Sequence, residues 1–196
     1  AYKIYSDIAP IFNRIPLVIN EILITNNNCC TDENGEYDSY IEIYNYGIDT
    51  IDVGGPFLTN NINNFDNYFK IPTGNDSTII PPEQFLLLWS DNFQDQSVLH
   101  IDNILSNLGG NIWLCSNDTS TIIDQISYSV QAPGIAYAII EDVNEVWIYM
   151  EPTPLLANNT ILNIDQDSNF PKKIHVKQNY LNPFNPSTKI RCFLVS

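Results

Sequence analysis

Short strand-like segments, separated by turn residues, are the feature of this sequence that most constrains its fold. Clear examples are residues 17–25, 40–45 and 84–89. In the second of these, Ile41 and Ile43 share one face of the predicted strand, and Tyr40, Glu42 and Tyr44 share the other. Similar segments recur about every 10–15 residues with Gly, Pro, Asn or Asp between them, which is typical of a β-sandwich or barrel. No helical period of useful length appears, so the sequence predicts an all-β protein.

Composition and charge narrow the functional classes. Apolar residues make up 44% of the 196 residues, which is enough for a real core. The formal net charge is −15, from 23 acidic and 8 basic residues. A surface this acidic repels phosphate backbones and anionic lipids, so we expect no nucleic-acid partner. No stretch approaches the roughly 20 apolar residues of a membrane span, so we expect no membrane insertion.

Proline positions and charge predict the domain boundaries. Residues 1–16 show no steady period and are interpreted as a lead-in segment. Residues 17–159 hold the predicted strands and form the predicted β-sandwich domain. Residues 160–174 are interpreted as a linker, and residues 175–196 as a separate final segment. Five of the eight basic residues lie in the last 25 positions, which supports a boundary before them.

Several motifs in residues 17–159 resemble those of bacterial lamin tail domains. Residues 19–22 are similar to the family's "INE" opening, residues 35–45 to its "GEYxDWIEIYN" strand, and residues 152–158 to its closing "PTPGAAN". This resemblance implies an immunoglobulin-like β-sandwich that serves as an accessory module of exported proteins, with no catalytic set to carry over. The chain departs from the family at residues 135–138, where Ile-Ala-Tyr-Ala replaces the usual "SYGR" and its arginine.

The end of the chain resembles a second family motif. Residues 178–190 are similar to "QNYPNPFNPSTxI", the opening of a carboxy-terminal sorting domain used in type IX secretion. The resemblance implies a location outside the cell or on the outer-membrane surface of a Bacteroidetes-like bacterium. The family domain is longer than these residues, so the segment is interpreted as the truncated start of that domain. The matching residues are Asn179, Tyr180, Asn182, Pro183, Phe184, Asn185, Pro186, Ser187 and Thr188.

An acidic loop before the second predicted strand is the best candidate metal site. Asp32, Asn34, Glu36 and Asp38 place oxygen donors at alternate positions, with a glycine for a tight turn, as Ca²⁺ sites require. The match to an EF-hand is partial, because the glycine and the final glutamate stand at other positions. Two strand glutamates, Glu21 and Glu42, would be further ligands. The alternative is a solvated turn. No cofactor is expected apart from this calcium ion.

Four cysteines match no zinc-site spacing. In an oxidising compartment, one of the neighbouring Cys29 and Cys30 could form a disulfide with Cys115. Free thiols are the alternative, and the sequence does not choose between them.

Glu21 and Glu42 are also the best pair for acid–base chemistry, since adjacent strands would place them close together. The competing interpretation is that they hold loop amides, which is common for strand glutamates near a sheet end. For His100 we expect a hydrogen-bonding role at a strand end or in a loop. Aromatic side chains could line a sugar-binding face, although core packing is the default. These aromatics are Tyr40, Tyr44, Phe57, Trp89, Trp113 and Trp147.

The sequence therefore predicts a non-catalytic interaction or structural module of a secreted bacterial protein. Its partner would be a protein or a glycan at the cell surface. The alternative is a Ca²⁺-dependent hydrolase, or a carbohydrate-binding module, that uses the acidic loop and the strand glutamates. A concave pocket with convergent carboxylates would favour the hydrolase.

Overall fold

The computed structural model of the chain describes residues 15–64, 68–140, 142 and 146–158. Most of the predicted lead-in, the predicted linker and the predicted sorting segment lie outside the described residues. So does the sorting motif from Asn179 to Thr188.

Strands dominate the described part of the chain. They are β1 (Leu17–Leu23), β2 (Tyr40–Asn45), β3 (Ile51–Asp52), β4 (Phe57–Thr59), β5 (Phe69–Lys70), β6 (Ile79–Ile80), β7 (Phe85–Ser90), β8 (His100–Ile101), β9 (Gly110–Cys115), β10 (Ile122–Tyr128), β11 (Ala136–Ile139) and β12 (Trp147–Met150). Within these ranges the helical structure is one 3₁₀ turn, Asp76–Thr78. No helix in the described part is long and apolar enough to cross a membrane.

The strands form two larger sheets and one small one. The six-stranded sheet has the order β12-β11-β1-β2-β7-β8, and the four-stranded sheet has the order β10-β9-β4-β5. Strands β3 and β6 pair separately. The pairings are antiparallel except for that of β7 with β8, which is parallel.

A β-bulge in β1 decides which side chains face the core. Ile19 pairs with Ile43, and Glu21 pairs with Glu42, so Asn20 is the extra residue. Without it, the period of two would turn Glu21 to the same face as Ile19. The bulge instead keeps both Ile19 and Ile22 in the core and turns Glu21 to the outer face of the six-stranded sheet.

The main core lies between the two larger sheets. It contains Ile41 and Ile43 from β2, Leu114 from β9 and Ile126 from β10. A second apolar cluster occupies the outer face of the six-stranded sheet, built from Leu23, Tyr40, Leu87, Trp89 and Ala136. Strand β2 supplies both clusters from alternate positions, as its predicted two faces require.

These sheets confirm the predicted fold class, an all-β immunoglobulin-like sandwich. Predicted and observed strand limits differ at some ends. The first predicted strand runs to residue 25, whereas β1 ends at Leu23. The reason is that Ile24 N donates to the Gln131 side chain at 3.1 Å and not to a strand partner.

The alternation in β2 gives the first testable prediction. Ile41 is fully buried, so Ile41→Ala should lower the free energy of unfolding by about 2–5 kcal/mol through lost burial and a cavity. Urea unfolding measures this loss. Ile79→Ala is the control, because Ile79 is 40% exposed and its truncation should cost well under half as much. Equal losses in the two variants would contradict the assignment of the core face.

Candidate functional site

Glu21 and Glu42 lie side by side on the outer face of the six-stranded sheet. They are register partners on β1 and β2, and both are fully buried. The covering segment is residues 151–158, which follows β12. Buried carboxylates require hydrogen-bond donors, and this segment supplies several of them.

Glu21 holds Thr153 in place. The Thr153 backbone N–H lies 3.2 and 3.1 Å from the two Glu21 carboxylate oxygens, and the Thr153 hydroxyl lies 2.9 Å from Oε2. The hydroxyl of Tyr40, the next residue on that face of β2, also donates to Glu21 Oε1. Four donor contacts therefore converge on one carboxylate.

Glu42 accepts hydrogen bonds from the covering segment and from the bulge residue Asn20. Its Oε2 accepts the Leu155 backbone N–H at 2.6 Å, and its Oε1 accepts Asn20 Nδ2 at 2.9 Å. The Asn20 amide also reaches Asp142 Oδ1 at 3.4 Å, and Asp142 accepts the Asn158 backbone N–H at 2.7 Å. We call Asn20, Glu21, Glu42, Asp142, Thr153 and Asn158 the glutamate cluster.

Burial changes the acidity of both glutamates. Burial raises the pKa of Glu42 to about 8; the bonds from Asn20 and Leu155 oppose the rise, and the Glu21 and Asp142 charges add to it. Burial also raises the pKa of Glu21, against the bonds from Tyr40 and Thr153. Lys70 is the sole Lys or Arg within the described ranges, and it lies over the Phe57 ring in another sheet. The neutral form of Glu42 is therefore favoured at neutral pH.

The predicted calcium loop lies apart from these glutamates. Asp32 Oδ1 accepts the backbone N–H groups of Asn34 at 2.9 Å and Glu36 at 2.8 Å, which closes a tight turn. Gly35 sits in this turn at φ +84°, a conformation that other residues rarely adopt. Carboxylate oxygens of Asp32, Glu36 and Asp38 lie within 4.8 Å of one another, whereas the Asn34 side chain donates to Asp32. Calcium binding there stays a prediction.

His100 is the neighbour of this loop that the motif search missed. It begins β8 and is fully buried, and its Nδ1 lies 2.6 Å from Asp91 Oδ2. Its Nε2 faces Glu33 Oε1 at 3.3 Å and Asp32 Oδ2 at 3.8 Å. Burial acts to lower the pKa of His100, but the Asp91 carboxylate and then Glu33 outweigh it and raise the pKa.

The expected hydrogen-bonding role of His100 is confirmed by its contact with Asp91. The convergence with Asp32 and Glu33 was hidden because His100 is about 70 positions away in the sequence, and the pairings of β2 with β7 and of β7 with β8 bring them together. Asp32, Glu33 and Asp91 surround His100 without forming a motif of fixed spacing, so the sequence alone did not indicate this group.

Two of the cavities among the described residues lie elsewhere on the domain. The larger, about 530 Å³, has Asp52 and Asp118 among its lining residues. Both carboxylates bind turns: Asp52 accepts Gly54 N at 2.7 Å, and Asp118 accepts Ser120 N at 3.0 Å. The second, about 330 Å³, is lined mainly by polar groups without carboxylates. Neither cavity has the convergent carboxylates of a hydrolase.

The comparisons with known proteins identify the family. A family model described as Lamin Tail Domain matches residues 13–129, which is more than half of the chain. The chain belongs to the lamin tail domain family. Searches of curated proteins and of solved structures gave no match. The family is immunoglobulin-like and non-enzymatic, and it indicates a structural or interaction module.

One departure from the family motif can now be placed in this lamin tail domain. Ala138, the last residue of the segment that departs from "SYGR", pairs directly with Glu21 across β1 and β11. Ala138 is fully buried. The position opposite Glu21 therefore has a small apolar side chain.

Two of the cysteines of the lamin tail domain, Cys29 and Cys30, lie near Glu21 and Tyr40. Cys29, Cys30 and Cys115 are free thiols in the structure, so the disulfide that the sequence allowed is not formed there. Cys29 and Cys30 pack against the outer apolar cluster, whereas Cys115 ends β9 in the four-stranded sheet. Burial raises the pKa of Cys30 to about 12, and that of Cys115 is also raised, so both thiols are kept protonated.

The acidity of Glu42 predicts how stability depends on pH. Its pKa rises from 4.5 to about 8 on folding, so the folded state holds the extra proton between these values. The stabilisation is present below the unfolded value and is lost as pH rises through about 8. We expect the thermal midpoint to fall between pH 5 and 9, and to fall less steeply in Glu42→Gln.

The glutamine side chain has only one acceptor oxygen, so Glu42→Gln also loses one hydrogen bond. The informative quantity is therefore the slope of the thermal midpoint with pH. Glu83→Gln is the control, since Glu83 is an exposed turn residue before β7. Its slope should equal that of the wild type. An unchanged slope in Glu42→Gln would show that Glu42 is not protonated on folding.

Proposed function

We propose that this lamin tail domain is a non-catalytic extracellular module of a secreted bacterial protein. It presents its surface to a protein or glycan partner at the cell surface. The observation that carries the proposal is the engagement of the glutamate pair. Glu21 and Glu42 are the best acid–base candidates of the sequence, and their oxygens are occupied by the backbone and side chains of the domain itself.

A hydrolase would need a different arrangement. A catalytic carboxylate must reach substrate, either directly or through one water. Glu21 and Glu42 are fully buried, and residues 153–155 cover the face on which they stand. The bonds that shield them also fix that segment against the sheet, so a structural role explains their burial, their spacing and their partners together.

Two of the six candidate aromatic residues, Tyr40 and Trp89, support the same proposal. Tyr40 and Trp89 are buried and pack edge to face, with ring centroids 5.9 Å apart. They belong to the outer apolar cluster, so they do not form an open stacking platform for sugars. A glycan partner would have to use more exposed aromatics such as Tyr149, which is 48% exposed.

Removal of Glu21 tests the structural role. Glu21→Ala would leave the Tyr40 hydroxyl and the Thr153 amide buried without acceptors, so the free energy of unfolding should fall by about 2–5 kcal/mol. Chemical unfolding measures this. Glu151→Ala is the matched control, because Glu151 is exposed and begins the same covering segment. A catalytic glutamate would behave differently: its removal would leave stability equal or higher and would abolish an activity.

The extracellular location rests on the sequence motif of residues 178–190. An antibody raised against residues 17–158 should label intact cells of the producing bacterium as strongly as permeabilised cells. Labelling that appears only after permeabilisation would contradict the location. It would leave the structural role of the glutamates standing, because that role is measured independently.

A further inference from the structure

His100 is a fully buried histidine with one ring nitrogen unsatisfied. Its Nδ1 is hydrogen-bonded to Asp91, but Nε2 has no hydrogen-bond partner although it is shielded from solvent. The nearest acceptors are Glu33 Oε1 at 3.3 Å and Asp32 Oδ2 at 3.8 Å. Both contacts are within ion-pair distance, but neither gives Nε2 a hydrogen bond of regular geometry. A buried polar atom without a partner is uncommon in proteins and calls for a specific reason.

We propose that His100 Nε2, Asp32 Oδ2 and Glu33 Oε1 form a binding site for a divalent transition-metal ion of the Zn²⁺ class. The three residues offer one ligand atom each within 4.8 Å of one another. Two ligand atoms that are each about 2.0 Å from a tetrahedral zinc ion stand about 3.3 Å apart. The 3.3 and 3.8 Å separations from Nε2 are close to this value.

The surroundings of His100 match those of a metal-binding histidine. A ligating imidazole normally donates its other N–H to a carboxylate, which fixes the tautomer and the ring orientation. Asp91 has this position, with Oδ2 2.6 Å from Nδ1 and its own side chain 4% exposed. With Nδ1 protonated, Nε2 carries the lone pair that a metal requires. Asp91 is therefore a positioning residue and not a ligand.

The charge around this site also favours a cation. Five carboxylates meet near the one imidazole: those of Asp32, Glu33, Glu36, Asp38 and Asp91. Asp38 Oδ2 is a second buried atom without a hydrogen-bond partner. Even a protonated His100 would leave a net charge of about −4 on six groups (five negative, one positive). A divalent ion would halve this excess.

The imidazole ligand distinguishes this site from the calcium site predicted for Asp32, Asn34, Glu36 and Asp38. Calcium takes oxygen ligands, whereas imidazole with carboxylates suits zinc and its neighbours in the first transition row. Asp32 belongs to both groups of ligands. Its Oδ1 accepts two turn amides, but Oδ2 makes only a 3.4 Å contact with Asn34 and faces His100. A bound ion would join the β1–β2 loop to the edge formed by β7 and β8.

The test is calorimetric titration of the full, chelator-treated 196-residue chain with ZnCl₂. We expect one ion per chain, and we expect the affinity to fall at least tenfold in Glu33→Gln and to be lost in His100→Gln. Glu33 is 46% exposed at its side chain, so Glu33→Gln keeps the variant folded even where His100→Gln does not. Near-ultraviolet circular dichroism without metal checks the fold of each variant.

The matched control is Glu83→Gln, which makes the same charge change at the opposite end of β7 from Asp91. Strand β7 has six residues, so this change is about 20 Å from the site. Its affinity should equal that of the wild type. Equal affinity in Glu33→Gln and Glu83→Gln would overturn the assignment, as would the absence of any zinc binding by the wild type.

Two further readouts separate this site from other ligands in the chain. Substitution with Co²⁺ should give weak ligand-field bands, because the three ligands are nitrogen and oxygen; an intense thiolate charge-transfer band would assign the ion to cysteines. A Ca²⁺ titration provides the other readout. Tight Ca²⁺ binding that is unaffected by His100→Gln, with no zinc binding, would replace this site by the oxygen-only set.

Discussion

The extra residue in β1 determines how the two faces of the six-stranded sheet are used. Because Asn20 is inserted between the pairs Ile19–Ile43 and Glu21–Glu42, the isoleucines on both sides of it enter the core. The same insertion places Glu21 beside Glu42 on the outer face. In a regular strand, Glu21 would be turned toward an apolar core without donors, at a cost of several kcal/mol. The bulge therefore separates the apolar and acidic side chains of one short strand.

The bulge residue Asn20 also provides some of the hydrogen bonds that the buried acidic side chains need. The Asn20 side chain links Glu42 to Asp142, and its backbone carbonyl accepts the Asn158 amide at 3.1 Å. Ala138, directly across from Glu21, carries no charge. The donors to the two glutamates include Thr153, Leu155 and Tyr40. These hydrogen bonds connect the end of the domain to its first two strands.

Sequence reasoning succeeded where information is local and periodic. The alternation in Tyr40–Asn45 specified both faces of β2 because a strand has a period of two. The motif of residues 19–22 indicated the family but not the bulge, since Asn20 looks like an ordinary strand residue. The donors to Glu21 lie 132 positions away in the sequence at Thr153, and His100 meets Asp32 through the parallel pairing of β7 and β8. Such contacts depend on the chain topology, so the local sequence pattern does not predict them.

The two acidic clusters show how the same residue type takes different roles. At Glu21 and Glu42 the carboxylate oxygens accept hydrogen bonds from amides and hydroxyls of the domain, so these two side chains have little need of a ligand. Beside the acidic loop, Asp38 Oδ2 and His100 Nε2 are buried without a hydrogen-bond partner, whereas Asp32 Oδ1 accepts two turn amides. Acidic residues alone would not distinguish these cases. The two clusters differ in whether their buried polar atoms have hydrogen-bond partners. The first cluster holds residues 151–158 against the sheet, and the second has atoms that can bind an ion.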